Sequence, residues 1–214
     1  MIDVYAVLDR PPRRKDFSGE PVRFVKLGTL AVACGDTGTA PELSEATLRA
    51  RDRLVRELAA SCEAILPARF GSLVADEAEL AEKLAPLSAE LARALELVRG
   101  REQMTLRVFG PPVAARERTR ATTGTEYLAE RARAAAASRS VPEIESIRAR
   151  LAPLVFAERV DRHEGTRLRA TVHHLVARGG SAAYLAVIPD TVDGFSLRAS
   201  EPQPPYAFAP GLPG

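Results

Sequence analysis

Three histidines come closest to the residue types that could form a metal or acid–base site. His173 and His174 are adjacent in a strand-like segment, and His163 lies in a turn that precedes it. Neighbouring residues of a strand point to opposite faces, so His173 and His174 cannot easily hold one ion. A zinc site would need further ligands that converge from elsewhere in the chain. The sequence therefore predicts no metal site and no cofactor.

Other patterns that could support catalysis are incomplete. The stretch GDTGT (35–39) precedes a helix, as phosphate-binding loops do, but the lysine of a P-loop and the G-x-G-x-x-G fingerprint are missing. The chain has no nucleophile elbow, no H-E-x-x-H and no cysteine with a suitably spaced histidine. Cys34 and Cys62 are predicted to be small, reduced core residues. We therefore predict that the protein is not an enzyme.

Composition argues against two classes of partner. The chain carries 30 basic and 28 acidic residues, and a formal net charge of +2 gives no bulk reason to expect nucleic acid. No apolar run approaches the roughly 20 residues of a membrane-spanning helix, and no signal peptide is recognised. We expect a soluble, cytoplasmic protein that binds neither nucleic acid nor a membrane.

The hydrophobic periodicity of the first half predicts an α+β domain. Three segments are strand-like: MIDVYAVL (1–8), RFVKLGTLAVAC (23–34) and EQMTLRVF (102–109). Apolar residues recur at helical spacing from Leu48 to Ile65, and a second leucine stripe runs from Leu80 to Val98. Two helices on one face of an antiparallel sheet are the ferredoxin-like arrangement, which we assign to residues 1–110.

The second leucine stripe carries its own boundary signals. Asp76, followed by Glu79 three residues later, predicts an N-cap of the capping-box type. Pro86 is expected to kink or split the helix, and Gly100 to end it.

Residues 111–214 predict a second α+β domain, made of helices and another antiparallel sheet. One helix is expected around Tyr127 and Leu128, and another from Pro142 to Leu154. Four later segments are strand-like: VFAERVDR (155–162), RLRATVHHLVAR (167–178), AAYLAVIP (182–189) and FSLRA (195–199). The first two are expected to be joined by a turn at residues 163–165.

The run ILPARFG (65–71) combines a proline, an arginine and a glycine with a strand-like pattern. If Pro67 begins a strand, Arg69 and Gly71 share one face, while Phe70 points to the helices. Two roles for Arg69 remain open. In the first role, Arg69 donates bidentate hydrogen bonds to a carboxylate or to carbonyl groups within the protein. In the second role, Arg69 lies on an open sheet face and contacts a partner.

Three motifs occur in an order that resembles the GvpL/GvpF family of gas vesicle proteins over nearly the whole chain. They are LP-x-RFG within ILPARFGSLVAD (65–76), G-x-x-YL within GTEYL (124–128), and PPYAF (204–208). The Leu-rich helix and GREQMTLRVF (100–109) lie between the first two. The candidate interaction residues are those of the motifs: Leu66, Pro67, Arg69, Phe70, Gly71, Gly124, Tyr127, Leu128, Pro204, Pro205, Tyr206 and Phe208.

The resemblance implies a two-domain α+β protein without known catalytic activity. It implies a role in building gas vesicles, the hollow protein-walled compartments that give cells buoyancy. Members of the family act as accessory proteins that contact the small, very hydrophobic shell protein. The implied partners are therefore the shell protein and other gas vesicle accessory proteins, at the gas vesicle in the cytoplasm. The alternative is a diverged ferredoxin-like module that binds a small ligand or acts as an enzyme outside gas vesicles.

The proline-rich tail is expected to dock onto the protein. Pro202, Pro204 and Pro205 stiffen the chain, which lowers the entropic cost of ordering it. If the tail stays extended, Tyr206 and Phe208 point the same way into an apolar groove, which we expect at the contact between the two domains.

Overall fold

The structure is a computed structural model that describes residues 1–14, 16–111 and 141–211. It combines helices with antiparallel sheets, which confirms the α+β class. The chain divides into two compact units. The first contains residues 1–102 and the tail from Gln203, and the second contains residues 103–202. This division differs from the boundary expected at residue 110.

The first unit is built on a sheet whose central strand is its N-terminal segment. The strands are β1 (Ile2–Leu8), β2 (Asp16–Phe17), β3 (Glu20–Pro21), β4 (Arg23–Leu27), β5 (Leu30–Asp36), β6 (Ile65–Pro67) and β7 (Leu73–Val74). The order is β4-β5-β1-β6, β7 also pairs with β1, and β2 and β3 form a separate ribbon. Every residue of β1 is buried, as its apolar residues on both faces predict.

Three helices of the first unit begin and end close to their sequence signals. They are α1 (Glu45–Ala60), α2 (Glu77–Leu84) and α3 (Ser88–Val98). Asp76 Oδ1 accepts a hydrogen bond from Glu79 N at 2.9 Å, and Glu79 Oε2 accepts one from Ala75 N at 2.5 Å. The expected N-cap at Asp76 is therefore present, but the return hydrogen bond of Glu79 comes from Ala75 N, one residue before the N-cap, so the capping box is not formed in its reciprocal form. Pro86 lies in a 3-10 turn between α2 and α3, so the helix is split as predicted.

Buried aliphatic side chains hold the first unit together. They include Leu54, Val55 and Leu58 of α1, Leu80 and Leu84 of α2, and Leu91, Leu95 and Val98 of α3. Cys34 and Cys62 are free and buried, as predicted. Each fully buried aliphatic side chain of this size contributes about 1.5–3 kcal/mol relative to exposure.

The second unit contains a separate five-stranded sheet. Its elements are β8 (Arg101–Phe109), α4 (Glu145–Leu151), β9 (Val155–Arg162), β10 (Leu168–Ala177), α5 (Ser181–Ala186), β11 (Thr191–Val192) and β12 (Phe195–Ala199). The strand order is β11-β12-β8-β10-β9. Strands β9 and β10 form the expected antiparallel hairpin.

Strand β8 lies in this second sheet, although its sequence was assigned to the first domain. It pairs with β12, where Val108 faces Leu197 and Leu106 faces Ala199. Alternation of apolar residues predicts which face of a strand is buried, but it carries no information about the partner strand. That limit explains the difference in the domain boundary and in the last strand of the ferredoxin-like arrangement.

The prediction of a strand at residues 182–189 is wrong. This segment contains α5, which follows a turn in which Gly179 has φ +79°. Its alanines favour a helix, and only Tyr184 of α5 is buried. A short apolar run has no period long enough to distinguish the two structures. FSLRA pairs instead with β8 and β11.

Candidate functional site

Arg51 lies at the centre of a polar cluster in the first unit. It stands on α1 one turn before Val55, on the buried face of the helix, and its side chain is only 9% exposed. Arg51 Nη2 donates to Asp3 Oδ2 of β1, and Arg51 Nη1 donates to the Val4 carbonyl oxygen at 3.2 Å. The guanidinium therefore ties α1 to the central strand.

Two aromatic rings flank the same guanidinium. The Arg51 Cζ atom lies 4.3 Å from the centroid of the Tyr5 ring and 5.5 Å from that of Phe70. Phe70 belongs to the LP-x-RFG motif and is half-buried. Cation–π contacts of this kind contribute about 0.5–2 kcal/mol each, more where water is excluded.

Burial dominates the electrostatics of this cluster. It raises the pKa of Asp3, although the charge and hydrogen bond of Arg51 act in the opposite direction. Asp3 Oδ1 is buried without a hydrogen-bond partner within the described residues. Burial, followed by the charge of Asp3, raises the pKa of Tyr5 to about 12. Both the acid and the phenol thus lie in a poorly solvated environment.

The tyrosine of this cluster depends on a glycine in the neighbouring strand. A Cβ atom at Gly35 would lie 2.0 Å from the hydroxyl oxygen of Tyr5. Gly35 of β5 pairs with Asp3 of β1. The GDTGT stretch therefore begins with a glycine whose missing side chain makes room for Tyr5.

The strand expected to run through Arg69 and Gly71 ends earlier. It stops at Pro67, and a turn follows in which Ser72 N donates to the Arg69 carbonyl oxygen at 3.2 Å. Gly71 has φ +79°, a conformation that favours glycine. Arg69 is exposed in this turn, and no ion pair or side-chain hydrogen bond ties it to another described residue. The internal acid proposed for Arg69 is therefore absent from the described residues, and the buried arginine of this region is Arg51.

The C-terminal tail is docked, as predicted, and it belongs to the first unit. Its 3-10 turn, Tyr206–Phe208, packs against β6. Pro204 and Pro205 are buried, Phe208 is 1% exposed, and Tyr206 is 36% exposed. The expectation that Tyr206 and Phe208 point the same way is wrong, because the chain turns here instead of staying extended.

Tyr206 belongs to the tail turn that packs against β6, the strand that carries Leu66 and Pro67 of the LP-x-RFG motif. Burial, and then the charge of Asp52, raise its pKa to about 12, while Arg51 and Arg56 act in the opposite direction. Two motifs far apart in the sequence thus meet at β6. We call the side chains Arg51, Arg69, Phe70 and Tyr206 the Arg51 surface.

The motif residues divide by accessibility. Arg69, Phe70 and Tyr206 are exposed or half-buried, and the following are buried: Leu66, Pro67, Pro204, Pro205 and Phe208. Gly71 shapes the turn. The buried members support the backbone that presents the accessible ones. Gly124, Tyr127 and Leu128 lie outside the described residues, so the G-x-x-YL motif stays an expectation.

The adjacent histidines of β10 have different surroundings, as their alternation predicts. His174 is 1% exposed and hydrogen-bonds Tyr184 Oη at 2.7 Å and Glu158 Oε2 at 2.9 Å. His173 Nε2 lies 3.2 Å from Asp161 Oδ2, and its Nδ1 lies 3.2 Å from Thr105 Oγ1. Burial lowers the pKa of His173, against the opposing effect of Asp161. Within residues 1–14, 16–111 and 141–211, no three His, Cys, Asp or Glu side chains are placed to hold a metal ion.

A carboxylate links the buried histidine to α4. Arg148 Nη1 donates to both oxygens of Glu158 at 3.3 Å. The hydrogen bond from His174 lowers the pKa of Glu158, against the effect of burial. This chain of contacts joins α4, β9 and β10, so its polar groups already have partners within the fold.

Sequence reasoning missed the Arg51–Asp3 pair, although a signal was present. Asp3 interrupts a strand whose other residues are apolar, and Arg51 shares a helix face with Leu54, Val55 and Leu58. A charged residue at a position that periodicity assigns to the core needs a partner of opposite charge. Two such residues of opposite sign on neighbouring elements indicate an ion pair.

The α+β fold is similar to that of two gas vesicle proteins of known structure. The crystal structure of the gas vesicle protein GvpF from Anabaena sp. PCC7120 has a TM-score of 0.69 at 15% identity, over 98% of this chain and 95% of that one. GvpF from Microcystis aeruginosa has a TM-score of 0.70 at 14% identity, over 98% of both chains. At these identities the likeness establishes the fold. None of the helices that the structure describes is long and apolar enough to cross a membrane.

The family follows from the sequence profile. The model of the gas vesicle synthesis protein GvpL/GvpF family matches residues 3–210, and the chain belongs to this family. No curated protein matches the chain significantly.

Proposed function

We propose that the protein is an accessory protein of gas vesicle assembly that binds the apolar shell subunit while the vesicle forms in the cytoplasm. Other accessory proteins are further partners under this proposal, and the protein performs no catalytic step. The observation that carries the proposal is the family match, which extends over residues 3–210.

The Arg51 surface is our candidate for the contact. Its accessible members are Arg69, Phe70 and Tyr206, whereas the Arg51 side chain lies beneath them at 9% exposure. Tyrosine and arginine are enriched among the residues that dominate binding energy at protein interfaces. Buried prolines and Phe208 hold the tail beneath Tyr206, so less conformational entropy is lost when a partner orders it.

Apolar burial is the expected source of affinity. A formal net charge of +2 over 214 residues provides little long-range attraction for a charged partner. The shell subunit is apolar under this proposal, and burying apolar area yields about 25 cal/mol per Å² before the costs of association. Binding is therefore expected to tolerate salt, because the Debye length is only about 4 Å at 0.5 M.

The proposal of a non-catalytic role is supported by the polar clusters of the second unit. His173 and His174 hydrogen-bond to side chains of neighbouring strands and of α5. Glu143 and Glu158 form ion pairs with arginines. Each of these titratable side chains hydrogen-bonds or ion-pairs with a neighbouring side chain, and such contacts stabilise the fold.

Co-purification of the shell subunit with tagged variants of the full chain tests the proposed surface. Phe70→Ala and Tyr206→Ala are expected to reduce capture, because each removes apolar area from the Arg51 surface. Leu185→Ala is the control, since Leu185 is 44% exposed but lies in the second unit. Equal losses with all three variants, or none with the first two, would contradict the assignment of this surface.

A further inference from the structure

Strand β9 is the last strand of the second sheet. Its neighbour on one side is β10, and within the described parts of the chain no strand pairs with its other side. An edge strand presents unpaired backbone N–H and C=O groups that can accept another strand. The residues of β9 alternate in charge from Glu158 through Arg159 and Asp161 to Arg162.

The register of the hairpin shows which backbone groups point outward. In this hairpin Asp161 pairs with Thr171, so His163 lies opposite Arg169 when the same register is continued. His163 N donates to the Arg169 carbonyl oxygen at 3.0 Å, which makes 163 and 169 a hydrogen-bonded pair. Hydrogen-bonded and non-hydrogen-bonded pairs alternate along an antiparallel ladder. The backbone groups of residues 159 and 161 therefore face β10, and those of residues 158, 160 and 162 face the open edge.

We propose that β9 pairs antiparallel with β9 of a second copy of this chain, about a twofold axis at Val160. Val160 then faces Val160 of the other copy, and Glu158 faces Arg162. All of these residues have backbone groups that point outward, so each facing pair can exchange two hydrogen bonds. Arg159 faces Asp161 across the axis, and the pair occurs twice because the interface is isologous.

Charge selects this register from its nearest alternatives. A twofold axis at residue 159 would preserve the backbone hydrogen bonds but would place two Arg159 side chains opposite each other. An axis at residue 161 would place two Asp161 side chains opposite each other. Like charges directly opposite are destabilising in a sheet, whereas opposite charges stabilise it. The axis at Val160 places every charged residue from 158 to 162 opposite a charge of the other sign.

The other long edge strand among the described residues lacks this property. Strand β4 ends the first sheet, and its charged residues, Arg23 and Lys26, have the same sign. No register of two β4 strands creates an opposite-charge pair. Of the two edge strands β4 and β9, β9 is therefore the one with a self-complementary charge pattern.

A bulge limits the length of the paired segment. The register of β9 on β10 shifts by one residue between the pairs Ala157–Leu175 and Val155–Val176, which places a bulge at Phe156. Bulges bend an edge and interrupt further pairing. The interface therefore uses a short stretch of each strand, and self-association is expected to be weak and dependent on concentration.

Charge reversal tests the register in sedimentation experiments on the full chain. Arg159→Asp and Asp161→Arg each convert two attractive pairs into two repulsive ones, so each is expected to weaken dimerisation about tenfold or more. The double variant restores opposite charges and is expected to return to near the wild-type dissociation constant. Thermal melting checks that each variant is folded. Wild-type protein that stays monomeric at all concentrations, or a double variant no better than the singles, would overturn the proposal.

Disulfide trapping provides a second test that detects weak pairing. Arg159→Cys and Asp161→Cys are prepared separately, mixed and oxidised with copper phenanthroline. Facing residues of an antiparallel ladder lie within about 4.5–5.5 Å between Cα atoms, inside the range of a disulfide. Cys34 and Cys62 are buried and do not compete. The mixture is expected to form covalent dimers that neither variant forms alone, and an equal yield in all three samples would exclude this register. Neither test involves the shell subunit, so the outcome is independent of the proposed function.

Discussion

Arg162 donates two parallel hydrogen bonds to Glu143, from Nη1 to Oε2 and from Nη2 to Oε1, each at 2.7 Å. Glu143 is 5% exposed, and Arg169 lies 3.6 Å from the same carboxylate. Burial acts to raise the pKa of Glu143, but the hydrogen bonds and charges of the arginines outweigh it and lower the pKa below 4.5. Residue 143, at the start of the second unit's helical segment, is thereby linked to β9.

Glu143→Gln is expected to lower the free energy of unfolding by about 1–3 kcal/mol, because charged hydrogen bonds are replaced by weaker ones beside a partly exposed arginine. A lowered pKa in the folded state contributes stability that is complete above the ordinary value of 4.5 and is lost as pH falls through the folded-state value. Urea unfolding between pH 3 and 7 should therefore show a smaller loss of stability on acidification for Glu143→Gln than for the wild type. Parallel pH profiles would contradict this role of Glu143.

Arg51→Met is expected to cost about 3–5 kcal/mol of unfolding free energy, because it leaves Asp3 buried without a counter-charge. Both side chains are only 9% exposed, so solvent cannot replace the lost partner. Asp3→Asn in the Arg51→Met background should recover part of the loss, since it removes the unpaired charge. Denaturant titration of the two single variants and the double variant gives the coupling energy. A coupling energy near zero would show that the pair contributes nothing to the fold.

Gly35→Ala is expected to destabilise the first sheet by about 1–3 kcal/mol through overpacking. The added Cβ would approach the Tyr5 hydroxyl to 2.0 Å, so Tyr5 or the strand must move. Tyr5→Phe in the same background should relieve part of the strain. The matched control is Gly38→Ala, because a Cβ at Gly38 meets no described atom within 4 Å. Equal melting temperatures for the two alanine variants would refute the close approach.

Phe208→Ala is expected to cost about 3–5 kcal/mol, the usual cost of truncating a buried phenylalanine. Phe208 is 1% exposed and Tyr206 is 36% exposed, so Tyr206→Ala should cost much less. Thermal melts of the two variants, and of a chain that ends at Pro202, test whether the tail is part of the folded unit. Trimming of the tail by protease without a change in melting temperature would contradict docking.

The local signals of the sequence predicted its helices well. Asp76, Glu79 and Pro86 act within one or two turns, and the structure shows the cap and the split helix that they predict. The stripe from Leu80 to Val98 is long enough for its period to be unambiguous. These elements depend on contacts between residues close in sequence, which a single chain displays directly.

The errors have a different physical origin. Strand β8 was assigned to the wrong sheet because its partner β12 lies far along the chain. The segment of α5 is helical although its sequence predicts a strand, because a short apolar run fits both periods. Arg69 was placed in a strand, but Pro67 ends the strand and Gly71 turns the chain. In each case tertiary context decides between local alternatives.

The candidate site was predicted in part. Phe70 and Tyr206 came from motifs that resemble a family; the structure places Phe70 against the guanidinium of Arg51 and packs the turn of Tyr206 against β6. Arg51, whose guanidinium lies against Phe70, has no motif of its own. It was missed because a helix pattern was interpreted through its leucines and not through the charge among them. An ion pair between β1 and α1 depends on tertiary proximity that the sequence does not display.

Capture of the apolar shell subunit by the tagged full chain, at 0.05 M and at 0.5 M NaCl, tests the central claim most directly. Apolar contact predicts that the ratio of shell subunit to tagged chain is retained at the higher salt concentration, where the Debye length is about 4 Å. Phe70→Ala, Tyr206→Ala and the control Leu185→Ala are measured in the same series. If the wild-type chain captures the shell subunit at neither concentration, the proposed function is contradicted. Capture only at 0.05 M NaCl would show that charge pairing, and not apolar contact, provides the affinity.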